Sequence, residues 1–300
     1  MKNRSSLPIV IAVLQTFQFA SMGIWVRMME GSFTTYQQVY IRVLLAALLG
    51  WIFFHRSISF RKIISYSRYD LFIYFLRATM AFGVGVLFFT FSIQHTQYAT
   101  VSFVASLPVL GVLAWFMYKE RLAKGTVKYI LLSVVGLVLL TKISFSNLKI
   151  GTGEIAAIVS MVGFNLGYLL SRKHPKSSNK YQDAVIVLGF GWIVPFVALL
   201  LTEESIVPGH ITMVAWIGLV ASVITNIVGM VMINYVFANM KAYVAGNIFL
   251  LEGVFALVIG RALYNEVPGA RELFGAAVIL TCAYIVAQKD RKGQTVAGED

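Results

Sequence analysis

YATVSFVASLPVLGVLAWFMYKE, residues Tyr98–Glu120, returns in looser form as YVAGNIFLLEGVFALVIGRALYNE, residues Tyr243–Glu266. Both copies open on Tyr and run through an apolar stretch that breaks near its middle, at Leu107-Pro108 or at Glu252-Gly253. Each finishes at a Glu in the following connection. A run of ~20 mostly apolar residues is long enough to cross a bilayer as a helix. Each copy is therefore read as one membrane span with a compliant point inside it, and duplication of a larger unit accounts for the repetition.

The rest of the chain has the same character. With 58% hydrophobic and 13% charged positions and a mean hydropathy of +0.78, it has too few polar residues to cover a water-soluble domain. Its apolar runs predict an all-α membrane protein with helices at Leu7–Met28, Tyr36–Phe54, Leu71–Phe91, Tyr98–Tyr118, Thr126–Ile143, Gly153–Ser171, Asp183–Leu201, Met213–Tyr235, Tyr243–Tyr264 and Arg271–Gln288. No length remains for a soluble catalytic domain. The first run is too long for a signal peptide, carries Gln15 and Gln18, and is read as a retained helix. Cys282 is the lone cysteine, so no disulfide framework exists.

The net charge of +12 does not point to nucleic acid, because the Lys and Arg residues fall between the apolar runs and alternate in density. One side holds Lys2 and Arg4, the Arg56–Arg68 group, Lys119–Lys128, Arg172–Lys180, Lys241 and Lys289–Lys292; the other holds Arg27, Lys142, Lys149, Arg261 and Arg271. Basic residues are retained on the cytoplasmic side, which predicts both termini cytoplasmic. Two copies of five helices must then be threaded in opposite senses. The expectation is two inverted five-helix repeats, residues 1–146 and 147–288, followed by a polar cytoplasmic tail at 289–300. In carriers built this way the ligand site lies near the bilayer midplane.

The same residues resemble the drug/metabolite transporter superfamily, specifically its EamA-like ten-helix transporters, over essentially the whole chain. The resemblance rests on Gly23-Ile-Trp25-Val-Arg27, Arg42 followed by Leu-Leu-Ala-Ala-Leu-Leu, and Arg77 with Phe89. It continues through Tyr98, Ala99, Pro108, Glu120 and Gly136, then Gly153-Glu154-Ile-Ala-Ala, Arg172-Lys173, Glu252, Glu266 and Gly275. It implies a metabolite transporter of the inner membrane, with a lean toward export. Where the family often has Glu-Pro in the ninth helix, this chain has Glu252-Gly253. Family members move amino acids, nucleotide sugars, cationic drugs and other metabolites.

Glu252 is the most informative single residue. An ionisable group at the centre of a span costs ~2.5 kcal/mol or more unless paired, hydrated or protonated. It is read as a carboxylate that couples to protons or contacts a cation; the alternative is a structural bond to a neighbouring helix. Arg42 and Arg77 lie inside predicted helices, where each either snorkels to its interface or clamps a carboxylate. Gln15 with Gln18, and Asn165 with Tyr168, share helix faces and are candidate substrate contacts together with Asn226 and Asn247. Asn247 and Glu252, five apart, stand roughly 140° round one continuous helix. Pro108, Pro195 and Gly253 are candidate hinges. Tyr98 and Tyr243 are interfacial anchors or gating residues.

Three functions fit a chain of this kind. The first is a secondary transporter for amino acids or related amphipathic solutes, with protons as a possible coupling ion and organic cations, drugs or nucleotide-type solutes as the alternative cargo. An intramembrane enzyme is disfavoured because His55, His95, His174 and His210 fall in connections or at span ends and no HExxH occurs. A channel is the third. No P-loop is present, and no cofactor or metal is implied. Membrane lipid and a small-molecule substrate are the expected partners, and a single chain suffices.

Overall fold

The computed structural model of the chain describes residues 6–140, 151–264 and 267–296. No strand occurs among them. The helices are α1 (Leu7–Met29), α2 (Thr35–Phe54), α3 (Phe60–Ile64), α4 (Arg68–Ala78), a π-helical segment (Thr79–Val86), α5 (Leu87–His95), α6 (Tyr98–Ala105), α7 (Val109–Tyr118), α8 (Val127–Leu140), α9 (Thr152–Leu170), α10 (Lys180–Gly191), α11 (Ile193–Leu201), α12 (Met213–Asn239), α13 (Ala242–Phe249), α14 (Leu251–Tyr264) and α15 (Ala270–Val296).

Nine helices among the described residues are long and apolar enough to cross a membrane, several of them composed of two adjoining segments. They match nine of the ten predicted runs. The other, Thr126–Ile143, appears as the 14-residue α8. Lys142, Lys149, the predicted repeat boundary at 146/147 and Glu266 lie outside the described residues.

Several helices start earlier than hydropathy predicts, because polar caps rather than apolar residues set their ends. At α4, Asp70 N donates to Ser67 Oγ at 3.1 Å and Ser67 N donates back to Asp70 Oδ2 at 3.0 Å, a reciprocal box that satisfies otherwise orphaned N–H groups. Asn179 does the same work for α10, its Oδ1 accepting from Tyr181 N and Gln182 N at 3.0 Å each. At the other end of the chain α15 runs on to Val296. The expected polar tail from 289 is thus helical for two further turns, and Asp290 within it is buried.

Pro108 and Pro195 interrupt their spans as predicted. Pro108 separates α6 from α7, and Pro195 sits in the first turn of α11, just after the break at Trp192. A ring without an N–H clashes with the carbonyl four residues back and favours such a position. The ninth predicted span breaks at Leu250, not at Glu252-Gly253. Gly253 lies inside α14, where a Cβ would meet Leu140 Cδ2 at 3.1 Å; its small size serves helix packing there.

The chain packs as two compact units. The first comprises Met1–Ser21, Ser102–Lys149 and Asn239–Asp300, and the second Met22–Val101 and Ile150–Ala238. In the first, α8 and α15 meet at backbone distance: a Cβ on Gly275 would lie 2.6 Å from Gly136 O. In the second, the π-helical segment presses on α9. A Cβ on Gly163 would stand 2.7 Å from Gly85 N, and one on Gly85 2.8 Å from Phe164 Cδ1. Without water, helix association depends on such close approach. The surface left over is apolar, with Ile52, Phe53, Phe116, Leu131 and Leu201 exposed, as suits lipid.

Candidate functional site

In the first unit the break at Leu250 makes Glu252 the second residue of a new helix. The helix dipole favours negative charge in a first turn, although Leu250 keeps right-handed helical dihedrals and the break is slight. Glu252 is only 6% exposed. Ser102 of α6 stands beside its carboxyl group, outside hydrogen-bonding geometry, and the buried Ser106 hydroxyl has no hydrogen-bond partner among the described residues. Gln15 is also buried in this unit, its Oε1 without a partner among the described residues. Asn247 Oδ1 lies 3.0 Å from Ser133 Oγ, whose hydroxyl also reaches Tyr129 O at 2.8 Å. Among the described residues Asn247 Nδ2 is an unpartnered donor and Gln15 Oε1 an unpartnered acceptor, while the Glu252 carboxyl group suits a proton or an ammonium group.

Elsewhere in this unit the Tyr243 hydroxyl donates to Asp290 Oδ1 at 2.7 Å, and Lys241 Nζ pairs with the same oxygen at 2.9 Å. Tyr243 is thus buried against the end of α15. Tyr98 opens α6.

The second unit holds both interior arginines. Neither snorkels, since Arg42 is 0% and Arg77 1% exposed. Arg77 is saturated. Its Nε donates to Gly167 O at 3.1 Å, Nη2 donates to Asn234 Oδ1 at 2.6 Å and reaches Met230 Sδ at 3.3 Å, and Nη1 lies 3.4 Å from His174 Nε2. His174 Nδ1 in turn lies 3.3 Å from Asp183 Oδ1, and the Tyr74 hydroxyl bonds the same carboxylate. Burial, and then the neighbouring Arg77 charge, push the His174 pKa down to about 4, so at neutral pH the ring is uncharged and donates to Asp183. This network ties α4, α9, α10 and α12 together. Sequence reading left His174 in a connection and gave Asp183 and Tyr74 no role; the only signal was their polar character at span ends.

Arg42 is different. Only Nη2 is engaged, donating to Thr90 Oγ1 at 2.7 Å, while Nε and Nη1 have no partner among the described residues. The remaining predicted contacts divide. Asn165 Nδ2 donates to Met161 O on its own helix at 2.8 Å, and Tyr168 stacks between Phe164 and Phe237. Asn226 is buried with Nδ2 unpartnered. Gln15 and Gln18 differ in burial, the second being partly exposed.

The EamA-like transporter family model matches this chain twice, at residues 6–142 and 151–288. The chain belongs to the EamA-like transporter family. Among relatives of this EamA-like transporter, the pseudopaline exporter CntI of Pseudomonas aeruginosa is 23% identical over 95% of this chain and 97% of its own. Uncharacterized transporters of Archaeoglobus fulgidus and Helicobacter pylori are each 25% identical over 68% of the chain, covering 65% and 70% of their own lengths. A solved crystal structure agrees with a TM-score of 0.75 at 16% identity, covering 96% of this chain and 99% of that one, which speaks to the fold alone. The protein is a multi-pass membrane transporter and not an enzyme.

Proposed function

We propose that this protein is a secondary carrier that exports small metabolites, amino acids or related amphipathic solutes, across the cytoplasmic membrane by alternating access, with Glu252 as the proton-coupling group. In this reading the chain is two inverted five-helix repeats, residues 1–146 and 147–288, with both termini and the 289–300 segment cytoplasmic. Gln15 and Asn247 accompany Glu252 as polar contacts in the first unit, and Pro108, Pro195 and the Leu250–Gly253 stretch supply compliance.

The observation that carries the proposal is a buried carboxylate at a helix break inside a span, a feature with which carriers bind substrate and coupling ions. The repeat reading is supported by the paired family matches and by the packing of helices that occupy the same place in each repeat: α2 lies against α10 and α11, α7 against α13, and α8 against α15. The alternation of basic connections supports the orientation. Export is supported by the name of the Pseudomonas relative.

Counterflow in proteoliposomes tests it. A carrier accumulates labelled amino acid against a preloaded unlabelled pool, whereas a pore does not exchange. With Glu252→Gln, exchange persists while transport driven by an imposed pH gradient falls about tenfold or more, since the neutral amide cannot cycle a proton. Unchanged pH dependence in the variant refutes the coupling role. The lone carboxylate also favours one second reading, organic cations as cargo, which the same assay separates by choice of labelled solute.

A further inference from the structure

Arg42 and Gln38 stand one turn apart on α2, both 0% exposed. Neither has the partners its chemistry demands. Arg42 offers five N–H donors and places one, on Thr90 Oγ1. That acceptor is fixed in turn, because the Thr90 hydroxyl spends its hydrogen on Val86 O at 2.8 Å. The guanidinium is thus held at one corner, while its Nε and Nη1 and both amide atoms of Gln38 are buried and unpartnered among the described residues.

The contrast with the neighbouring side chains is informative. Gln37 is fully employed: its Oε1 accepts from Thr34 N at 3.0 Å and its Nε2 donates to Ser205 O at 2.6 Å. Arg77, the other interior guanidinium of this unit, is bonded through all three nitrogens. Buried charge is tolerated when paired and hydrogen-bonded. A guanidinium short of partners and, one turn away, an amide short of partners leave hydrogen-bonding capacity that no described residue takes up.

We infer that Arg42 and Gln38 form a recognition site for an α-amino or α-hydroxy carboxylate, with the carboxylate on the Arg42 fork and the adjacent amino or hydroxyl group on Gln38. The unpartnered guanidinium nitrogens match a carboxylate in charge and geometry. Gln38 offers both an acceptor and a donor, which suits a substituent that is itself a donor. Side chains four apart on a helix have Cβ atoms about 5–6 Å from each other, so their head groups reach neighbouring atoms of one small molecule. The inference rests on the carrier reading above and narrows its substrate class to solutes bearing this head group.

The test is thermal unfolding of the purified full-length protein in detergent against the L-α-amino acids, the matching L-α-hydroxy acids and the matching α-amides, with sodium chloride as anion control. At least one acid raises the wild-type melting temperature by about 2–4 °C, and its amide does not. Arg42→Gln weakens that binding about tenfold or more. Arg42→Lys, which keeps the charge but lacks the fork, also weakens it and serves if the Gln variant fails to purify. Gln38→Leu retains a weaker response. Unliganded Arg42→Gln melts no lower than wild type, whereas a purely structural Arg42 predicts a clear drop. The inference is overturned if no acid shifts the wild type, if amides act as well as acids, if chloride alone gives the full shift, or if Arg42→Gln binds undiminished. Binding in detergent needs no gradient, so the absence of any acid-induced shift overturns the inference without bearing on proton coupling at Glu252, and unchanged pH dependence in Glu252→Gln refutes the coupling role without bearing on binding at Arg42.

Discussion

Asn234 Oδ1 accepts a 2.6 Å hydrogen bond from Arg77 Nη2, while Asn234 Nδ2 donates to Lys180 O at 2.9 Å. The second bond determines which end of the amide faces the guanidinium. Arg77 is thereby locked by a side chain that is itself locked by backbone, and the cation is part of the frame of the second unit. Asn234→Leu removes that acceptor and lowers unfolding stability by about 2 kcal/mol. Arg77→Lys costs about 3 kcal/mol or more, because one ammonium cannot span Gly167 O, Asn234 and His174 together. Denaturant unfolding in detergent checks both, and a wild-type midpoint for either variant contradicts the lock.

His174 makes stability depend on pH. Its folded-state pKa of about 4 lies below the ordinary 6.5, so between those values the unfolded chain binds the proton more readily. The contribution is fully present above about pH 6.5 and is lost as pH falls toward 4, by roughly 3 kcal/mol in total. The groups facing the ring are Arg77, Asp183 and Tyr74. His174→Gln should flatten the fall in melting temperature across that window. An identical slope in the variant assigns the acid sensitivity to other groups.

Two glycines give opposite outcomes with the same substitution. Gly163→Ala drives a Cβ to 2.7 Å from Gly85 N and 2.9 Å from Met80 O, backbone atoms that cannot swing aside, and should cost about 1–3 kcal/mol or prevent folding. Gly189→Ala meets nothing within 4 Å and should be neutral or gain up to about 1 kcal/mol from helix propensity. Melting temperatures in the same detergent compare them directly.

The end of α15 is structural. Ending the chain after Gln288 removes Asp290 and with it the acceptor of the Tyr243 hydroxyl, a loss of about 1 kcal/mol or more. Ending it after Val296 retains that contact and should be silent. Equal melting of the two truncations removes the claim. Asp290→Asn, which keeps an acceptor but drops the charge facing Lys241, should fall between them.

Local chemistry was enough to locate the membrane-spanning helices, the interruptions at Pro108 and Pro195, and the three ionisable residues Arg42, Arg77 and Glu252 buried within spans. Hydropathy over ~20 residues, a missing N–H, and the cost of charge in hydrocarbon are properties of a stretch and its immediate neighbours. Partnership is not. Arg77 meets Asn234 across 157 positions and His174 across 97, and nothing near Arg77 in the chain distinguishes it from Arg42, whose Nε and Nη1 have no partner among the described residues. Adjacent Gln37 and Gln38 differ in the same way: the side chain of one bonds Ser205 O, and that of the other has no partner among the described residues. Packing alone moved His174 and Asp290 from presumed connection and tail into buried networks, and placed the helix break at Leu250, so that Glu252 opens a helix. Burial and hydrogen-bond satisfaction are set by which distant helices come together, and that information resides in the folded arrangement rather than in any one stretch of the chain.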